Sequence, residues 1–139
     1  MILSSGEILS SILFCLLVSL ISLYYCFIKG NIKLALALLV LSGFLLRLLM
    51  TAADPFLHLW DERFHALVAK NLMNYPFKPM LRVDPIMAYD MEAWCCNHVW
   101  THKQPLFLWQ MAASMKVFGV NEVAMRLPSA ILATLTILL

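Results

Sequence analysis

Two apolar stretches near the start of the chain decide its fold: residues 8–28, ILSSILFCLLVSLISLYYCFI, and residues 34–53, LALALLVLSGFLLRLLMTAA. The first contains no charged residue, and the second contains only Arg47. At a rise of 1.5 Å per residue, a helix of about 20 residues spans about 30 Å, which is the thickness of a bilayer core. The two stretches therefore predict two transmembrane helices.

The composition of the whole 139-residue chain is that of an integral membrane protein. Hydrophobic residues make up 63% and charged residues 13%, whereas soluble domains have about 45–50% and about 25%. These proportions exclude a disordered chain and an ordinary soluble enzyme. The formal net charge of +2 is too small to indicate a nucleic-acid partner. The four cysteines have no regular spacing and do not indicate a disulfide framework.

The first stretch is expected to be a retained span rather than a signal peptide. A signal peptide has a basic start and a small-residue cleavage site, whereas residues 1–7 contain an acid, Glu7, and no base. Lys29 and Lys33 lie in the turn between the two stretches with no acid beside them, which places that turn on the cytoplasmic side. Residues 1–31 thus form an extra N-terminal span with a short cytoplasmic turn, and residues 32–53 form the second span.

Arg47 does not prevent the second span from inserting. A central arginine costs about 2.5–3.5 kcal/mol, while the nine leucines between positions 34 and 49 return about 4–5 kcal/mol together. Because Arg47 lies near the end of the span, we expect it to anchor at the headgroups, or alternatively to contact an anionic lipid head. Arg47 is for that reason a candidate for binding a lipid phosphate.

Residues 54–127 are predicted to form a long extracytoplasmic loop, and residues 128–139 the start of another span. The last apolar run covers only about half a bilayer and has no polar flank. We therefore expect an N-terminal piece of a longer, multi-pass protein of the cell membrane, in a bacterial inner membrane.

The loop is expected to contain amphipathic juxtamembrane helices, which makes the predicted fold all-α. Helical spacing over residues 59–74 puts one set of residues on an apolar face and a second set opposite. The apolar set is Phe64, Leu67, Val68 and Leu72, and the opposite set is Arg63, Ala66, Lys70 and Asn74. Pro105 is predicted to begin a second helix that stops at Gly119. Asn121 caps a third, which passes Pro128, and residues 75–97 have no regular pattern.

The motif WDERFH, residues 60–65, is the first candidate site. Asp61 and His65 are one helical turn apart at the border of the apolar face, so Asp61 is predicted to point toward packed protein. There its pKa and hydrogen bonds could be controlled, with Glu62 in support. The alternative is that both acids only favour the positive N-terminus of the helix.

The segment HKQPL, residues 102–106, is the second candidate. Lys103 stands beside the free N–H groups of a helix that starts at Pro105, an arrangement suited to an anion. Alternatively, Lys103 is an interfacial lysine that meets lipid phosphates. His98 and His102 could bind a divalent metal if the segment is helical, with a further ligand such as His65. Two histidines alone are an incomplete metal site.

Three segments in this order resemble a known family. They are DERFHA at 61–66, KQPLFLW at 103–109 and VFGVNEVAMRLPSA at 117–130. Together they are similar to the opening of the polytopic GT-C glycosyltransferases, namely the protein O-mannosyltransferase and lipid A aminoarabinose transferase family. The likeness covers about residues 34–139. One departure is His102, where the family often has glutamate, and another is the longer stretch from 76 to 97.

The resemblance implies an enzyme that transfers a sugar from a polyprenyl-phosphate donor on the extracytoplasmic side. Asp61, supported by Glu62, would act on the acceptor hydroxyl, and Lys103 would stabilise the phosphate leaving group. No cofactor is required, a divalent metal is possible, and the acceptor is open. The alternative is a non-catalytic membrane scaffold, or a transporter in which Asp61, Glu62 and His65 line an ion path.

Overall fold

The computed structural model describes residues 3–86, 88–90, 92 and 98–139, and its regular structure is helical. The helices are α1 (Ser5–Phe27), α2 (Ile32–Ala53), α3 (Asp61–Leu72), α4 (Pro105–Phe118) and α5 (Glu122–Leu135), followed by a 3-10 turn over Thr136–Leu138. Within the described ranges there is no strand, only an isolated antiparallel bridge between Met80 and Val99. The predicted all-α class is confirmed.

The chain divides into two compact units. The first unit comprises Met1–Pro55 and Ser129–Leu139, and the second comprises Phe56–Pro128. Each unit has its own packing and is described separately.

Helices α1 and α2 of the first unit coincide closely with the two predicted spans. Helix α1 begins at Ser5, earlier than the apolar run, because Ser4 and Glu7 form a reciprocal capping box. Asn31 caps α2 by accepting a hydrogen bond from the Leu34 N–H at 3.2 Å. Both helices are long and apolar enough to cross a membrane, judged by length and composition.

Serine hydroxyl groups form the hydrogen bonds between α1 and α2. Ser42 donates to the Cys15 carbonyl at 2.8 Å and lies 2.7 Å from the Ser19 hydroxyl. Ser22 donates to the Ala35 carbonyl at 2.6 Å. The leucines of α1 face outward, and Leu20 is 61% exposed. Small and hydroxylated residues inside with apolar residues outside are typical of helices that pack within lipid.

The core of the second unit lies where α3 packs on α4. Its buried residues include Val68, Ala69, Leu72, Trp100, Leu108, Met111, Ala112, Met115, Ala124 and Met125. The predicted apolar face of α3 was wrong in one position, because Leu67 is 42% exposed while Ala69 is fully buried. Helix α3 is thus turned so that Ala69, a small side chain, lies at a closely packed position of the second unit.

The ends of α3, α4 and α5 follow local signals. Trp60 adopts a positive φ of 69°, so α3 starts at Asp61 rather than two residues earlier. Helix α4 begins at Pro105 and is followed by Gly119 with φ 86°, as predicted. Asn121 accepts a hydrogen bond from the Ala124 N–H at 2.8 Å, and α5 continues through Pro128.

Candidate functional site

Asp61 begins α3 and faces solvent. The prediction that it points toward packed protein was wrong: its side chain is exposed and makes no hydrogen bond to the residues that the structure describes. The backbone of Trp60 turns sharply just before it, which sets the first turn of α3 at the surface of the unit. An exposed carboxylate with free lone pairs can accept a hydrogen bond or a proton from an incoming hydroxyl group.

Both carboxylate oxygens of Glu62, in contrast, accept hydrogen bonds from neighbouring groups. Its Oε1 accepts from Arg126 Nε at 2.6 Å, and its Oε2 accepts from Arg126 Nη2 at 3.0 Å and from the His58 N–H at 2.7 Å. The Arg126 guanidinium is the main cause that holds the pKa of Glu62 below its usual value. Such a two-pronged pair fixes geometry as well as charge. Arg126 and the His58 N–H therefore hold the Glu62 carboxylate in one position, and its predicted supporting role in catalysis stays a prediction.

Arg126 is the partner of Glu62, which the first motif by itself does not indicate. Besides binding Glu62, its Nη2 donates to the Phe56 carbonyl at 2.8 Å, so it joins α5 to the segment before α3. The one signal that could have found it is its place in the MRLPSA part of the third resembling segment. We name Glu62, Arg126 and the Phe56 and His58 backbone groups the Glu62–Arg126 clamp.

His65 contacts two aromatic rings. Its ring centroid is 5.5 Å from that of Trp100 and 5.1 Å from that of Phe107, both in edge-to-face geometry. Its Nε2 is buried and has no hydrogen-bond partner among the described residues. Burial is the main cause that lowers the pKa of His65; the Asp61 carboxylate opposes this effect, and Lys103 and His102 add to it. His65 is thus neutral at physiological pH.

Lys103 and the start of α4 belong to the second predicted motif. Lys103 is exposed and lines a cavity of about 290 Å³ together with Thr101, Pro105 and the aromatic residue Trp109. Gln104 precedes α4 in an extended conformation, and its side chain does not cap the helix. The first N–H groups of α4 can therefore bind an anion together with the Lys103 ammonium group.

The two predicted motifs meet at His65. His65 lies one helical turn after Asp61 on α3, and the charges of Asp61 and Lys103 shift the pKa of His65 in opposite directions. Phe107, in the first turn of α4, contacts the same ring. We name Asp61, His65, His102 and Lys103 the His65 cluster.

The condition for the predicted two-histidine metal site is not met. It required a helix over His98 and His102, whereas the His98 carbonyl accepts from the Leu81 N–H at 2.8 Å beside the Met80–Val99 bridge. The two histidine rings contact different aromatic residues: His98 contacts Tyr89, and His102 contacts Trp100. The described part of the chain contains no group of three or more metal-ligating side chains, and His65 joins none.

Arg47 belongs to the first unit. Its Nη1 donates to the Gly43 carbonyl at 3.1 Å, one turn back toward the start of α2. The side chain therefore does not extend toward the nearer end of the span, as an interfacial anchor would. Its predicted contact with a lipid phosphate stays a prediction.

Comparison of the chain with protein-family models, with curated proteins and with solved structures gives no match.

Proposed function

We propose that this chain carries part of the active site of a membrane glycosyltransferase that uses a polyprenyl-phosphate sugar. The observation that carries the proposal is the His65 cluster. In it, the half-buried ring of His65, one helical turn after Asp61, contacts Phe107 in the first turn of α4. The exposed Asp61 carboxylate and the exposed Lys103 ammonium thus belong to two distant motifs that meet at this contact. Glycosyl transfer from a lipid phosphate needs these two kinds of group: one for the acceptor hydroxyl and one for the anionic leaving group.

In the proposed reaction the acceptor oxygen attacks the anomeric carbon of the donor sugar. The bond from that carbon to the phosphate oxygen breaks, and its electron pair leaves with the polyprenyl phosphate. The acceptor proton passes to Asp61, or Asp61 orients the hydroxyl for attack. Lys103 and the first N–H groups of α4 stabilise the charge that develops on the phosphate. No nucleotide and no metal enter this scheme.

The two apolar helices support a membrane location for the reaction. Because a polyprenyl-phosphate donor is itself a membrane lipid, its phosphate lies at headgroup depth, close to where a span ends. The proposed topology puts the lysine turn at positions 29–33 in the cytoplasm and residues 54–127 outside, in a multi-pass protein of a bacterial inner membrane. The partners are thus the lipid-linked sugar, bilayer lipids and an acceptor whose class is open.

The deciding experiment measures sugar transfer from a synthetic polyprenyl-phosphate donor by membranes that contain the protein. Asp61→Asn keeps the side-chain shape and removes the charge, so we expect transfer to fall by at least about 10²-fold. Asp84→Asn, at an exposed aspartate outside the cluster, is the matched control. If Asp61→Asn folds and transfers at the parent rate, Asp61 has no catalytic role and the proposal fails.

A second measurement tests the phosphate side on the 139-residue chain itself. We expect the chain in detergent to bind polyprenyl phosphate, and Lys103→Ala to weaken that binding, whereas Lys103→Arg retains part of it through charge alone. Lys78→Ala, at another exposed lysine of the second unit, is the control. Equal binding by Lys103→Ala and the parent chain would remove Lys103 from the donor site.

A further inference from the structure

A second cavity of the second unit, of about 250 Å³, lies between α3, α4 and the start of α5. The apolar residues that line it are Leu57, Ala66, Leu67, Met115, Val120 and Met125. Two of them are exposed to solvent: Leu67 is 42% exposed and Val120 is 56% exposed. None of the members of the His65 cluster lines this cavity.

Two cations of α3 stand at this cavity. Arg63 and Lys70 are two helical turns apart and therefore lie on the same side of the helix. The only hydrogen bond of the Arg63 side chain within the described residues is a long one, 3.4 Å from Nε to the Leu57 carbonyl. Lys70 is exposed, and its ammonium forms no ion pair with the part of the chain that the structure describes.

The other polar residues of the lining leave a net positive charge. Glu122 is the one carboxylate that lines the cavity, and it lies in the first turn of α5, where the helix dipole also favours it. Asn121 is occupied, because its side chain caps α5 and donates to the Phe118 carbonyl at 3.2 Å. The lining thus carries two cations and one carboxylate beside apolar side chains that include methionines. This composition suits a ligand with one negative charge and a hydrocarbon part.

We propose that this cavity binds a phospholipid with a net negative headgroup, such as phosphatidylglycerol. Its phosphate lies between Arg63 and Lys70, and the upper part of an acyl chain covers Leu67 and Val120. Arginine and lysine form charge-assisted hydrogen bonds with a headgroup phosphate, and an acyl chain gains free energy by covering exposed apolar side chains. The inference depends on the two apolar helices and not on the proposed glycosyl transfer, so either can fail without the other.

The test is a titration of the purified 139-residue chain with short-chain phosphatidylglycerol in neutral detergent, followed by native mass spectrometry. At about 1 kcal/mol per basic residue, Arg63→Gln and Lys70→Gln should each weaken binding about fivefold, and the double variant about thirtyfold. Glu122→Gln should strengthen binding, because it removes the one opposing charge. Lys78→Gln, at an exposed lysine outside the cavity, is the matched control and should leave binding unchanged.

Lys70→Arg keeps the charge and should retain binding, so the proposal can still be tested if Lys70→Gln does not fold. Phosphatidylglycerol binding that is the same in the double variant and the parent chain would overturn the site. Phosphatidylcholine bound as tightly as phosphatidylglycerol would overturn the role of charge. Full displacement by inorganic phosphate would show that the cations bind free phosphate and that the apolar side chains contribute nothing, which also contradicts a lipid site.

Discussion

The Glu62–Arg126 clamp should stabilise the second unit measurably, and a double-mutant cycle can isolate its contribution. The cycle compares the parent chain with Glu62→Ala, Arg126→Ala and the double variant. Hydrogen bonds between charged groups contribute about 1.5–3 kcal/mol each in net stability, and breaking a fully buried ion pair costs about 3–5 kcal/mol. The side chains of Arg126 and Glu62 are 13% and 19% exposed, so this pair lies between an exposed and a fully buried one.

From these values we expect Arg126→Ala to cost about 2–3 kcal/mol, and the coupling energy of the cycle to be about 1.5 kcal/mol. The loss is larger than for an exposed pair because Arg126 also holds the Phe56 carbonyl at 2.8 Å. Thermal unfolding of the 139-residue chain in detergent, followed by near-ultraviolet circular dichroism of the tryptophans, gives the four stabilities. Arg82→Ala, at an exposed arginine, is the control and should change stability by less than about 0.5 kcal/mol.

The coupling should depend on pH with a definite sign. Because the clamp lowers the pKa of Glu62 in the folded chain below its ordinary value of 4.5, its contribution is fully present above that value. It is lost as the pH falls through the lower folded pKa, where the carboxylate takes up a proton. A coupling energy below about 0.3 kcal/mol at neutral pH, or one that does not change on acidification, would refute the clamp.

Three further predictions concern single positions. Burial lowers the pKa of His65, so the unfolded chain takes up a proton at a higher pH than the folded chain. The free energy of unfolding should therefore fall as the pH drops below about 6.5. In His65→Phe, the thermal midpoint should fall less over the same pH range. Ser42→Ala removes the hydroxyl that bridges α1 and α2 and should cost about 0.6–1.7 kcal/mol in a detergent unfolding titration, and no loss would contradict the bridging role. Gly119→Ala should cost about 1–3 kcal/mol because φ is 86° there, whereas Gly6→Ala in the open part of α1 should not destabilise the chain by the same thermal assay.

Helix positions in this chain were largely predictable from sequence, because their causes are local. Pro105 fits the first turn of a helix and glycine tolerates the conformation at position 119, so both ends of α4 follow from single residues. Asn121 likewise caps α5 through its own side chain. The extents of α1 and α2 follow from apolar runs that are as long as a bilayer is thick.

The state of each candidate site residue was not predictable from sequence, because it depends on which elements pack against it. Helical spacing placed Asp61 at the edge of an apolar face, but the turn at Trp60 and the packing of Ala69 leave its side chain exposed. The spacing of His98 and His102 suits a metal only on a helix, and a bridge between residues distant in sequence keeps this segment from being helical. Backbone pairing of that kind cannot be deduced from the spacing of two side chains.

The sequence by itself therefore determined where the helices lie, which helices are apolar enough to span a bilayer, and which residue types could perform chemistry. Only the tertiary structure decided that Glu62 is bound by Arg126 while its neighbour Asp61 is free. It also decided that the His65 ring of α3 contacts Phe107 of α4, which brings the two motifs together. The physical reason is the sequence separation over which each interaction acts. A capping residue or an apolar run acts within its own segment. An ion pair or a desolvated ring depends on segments that meet only when the chain folds.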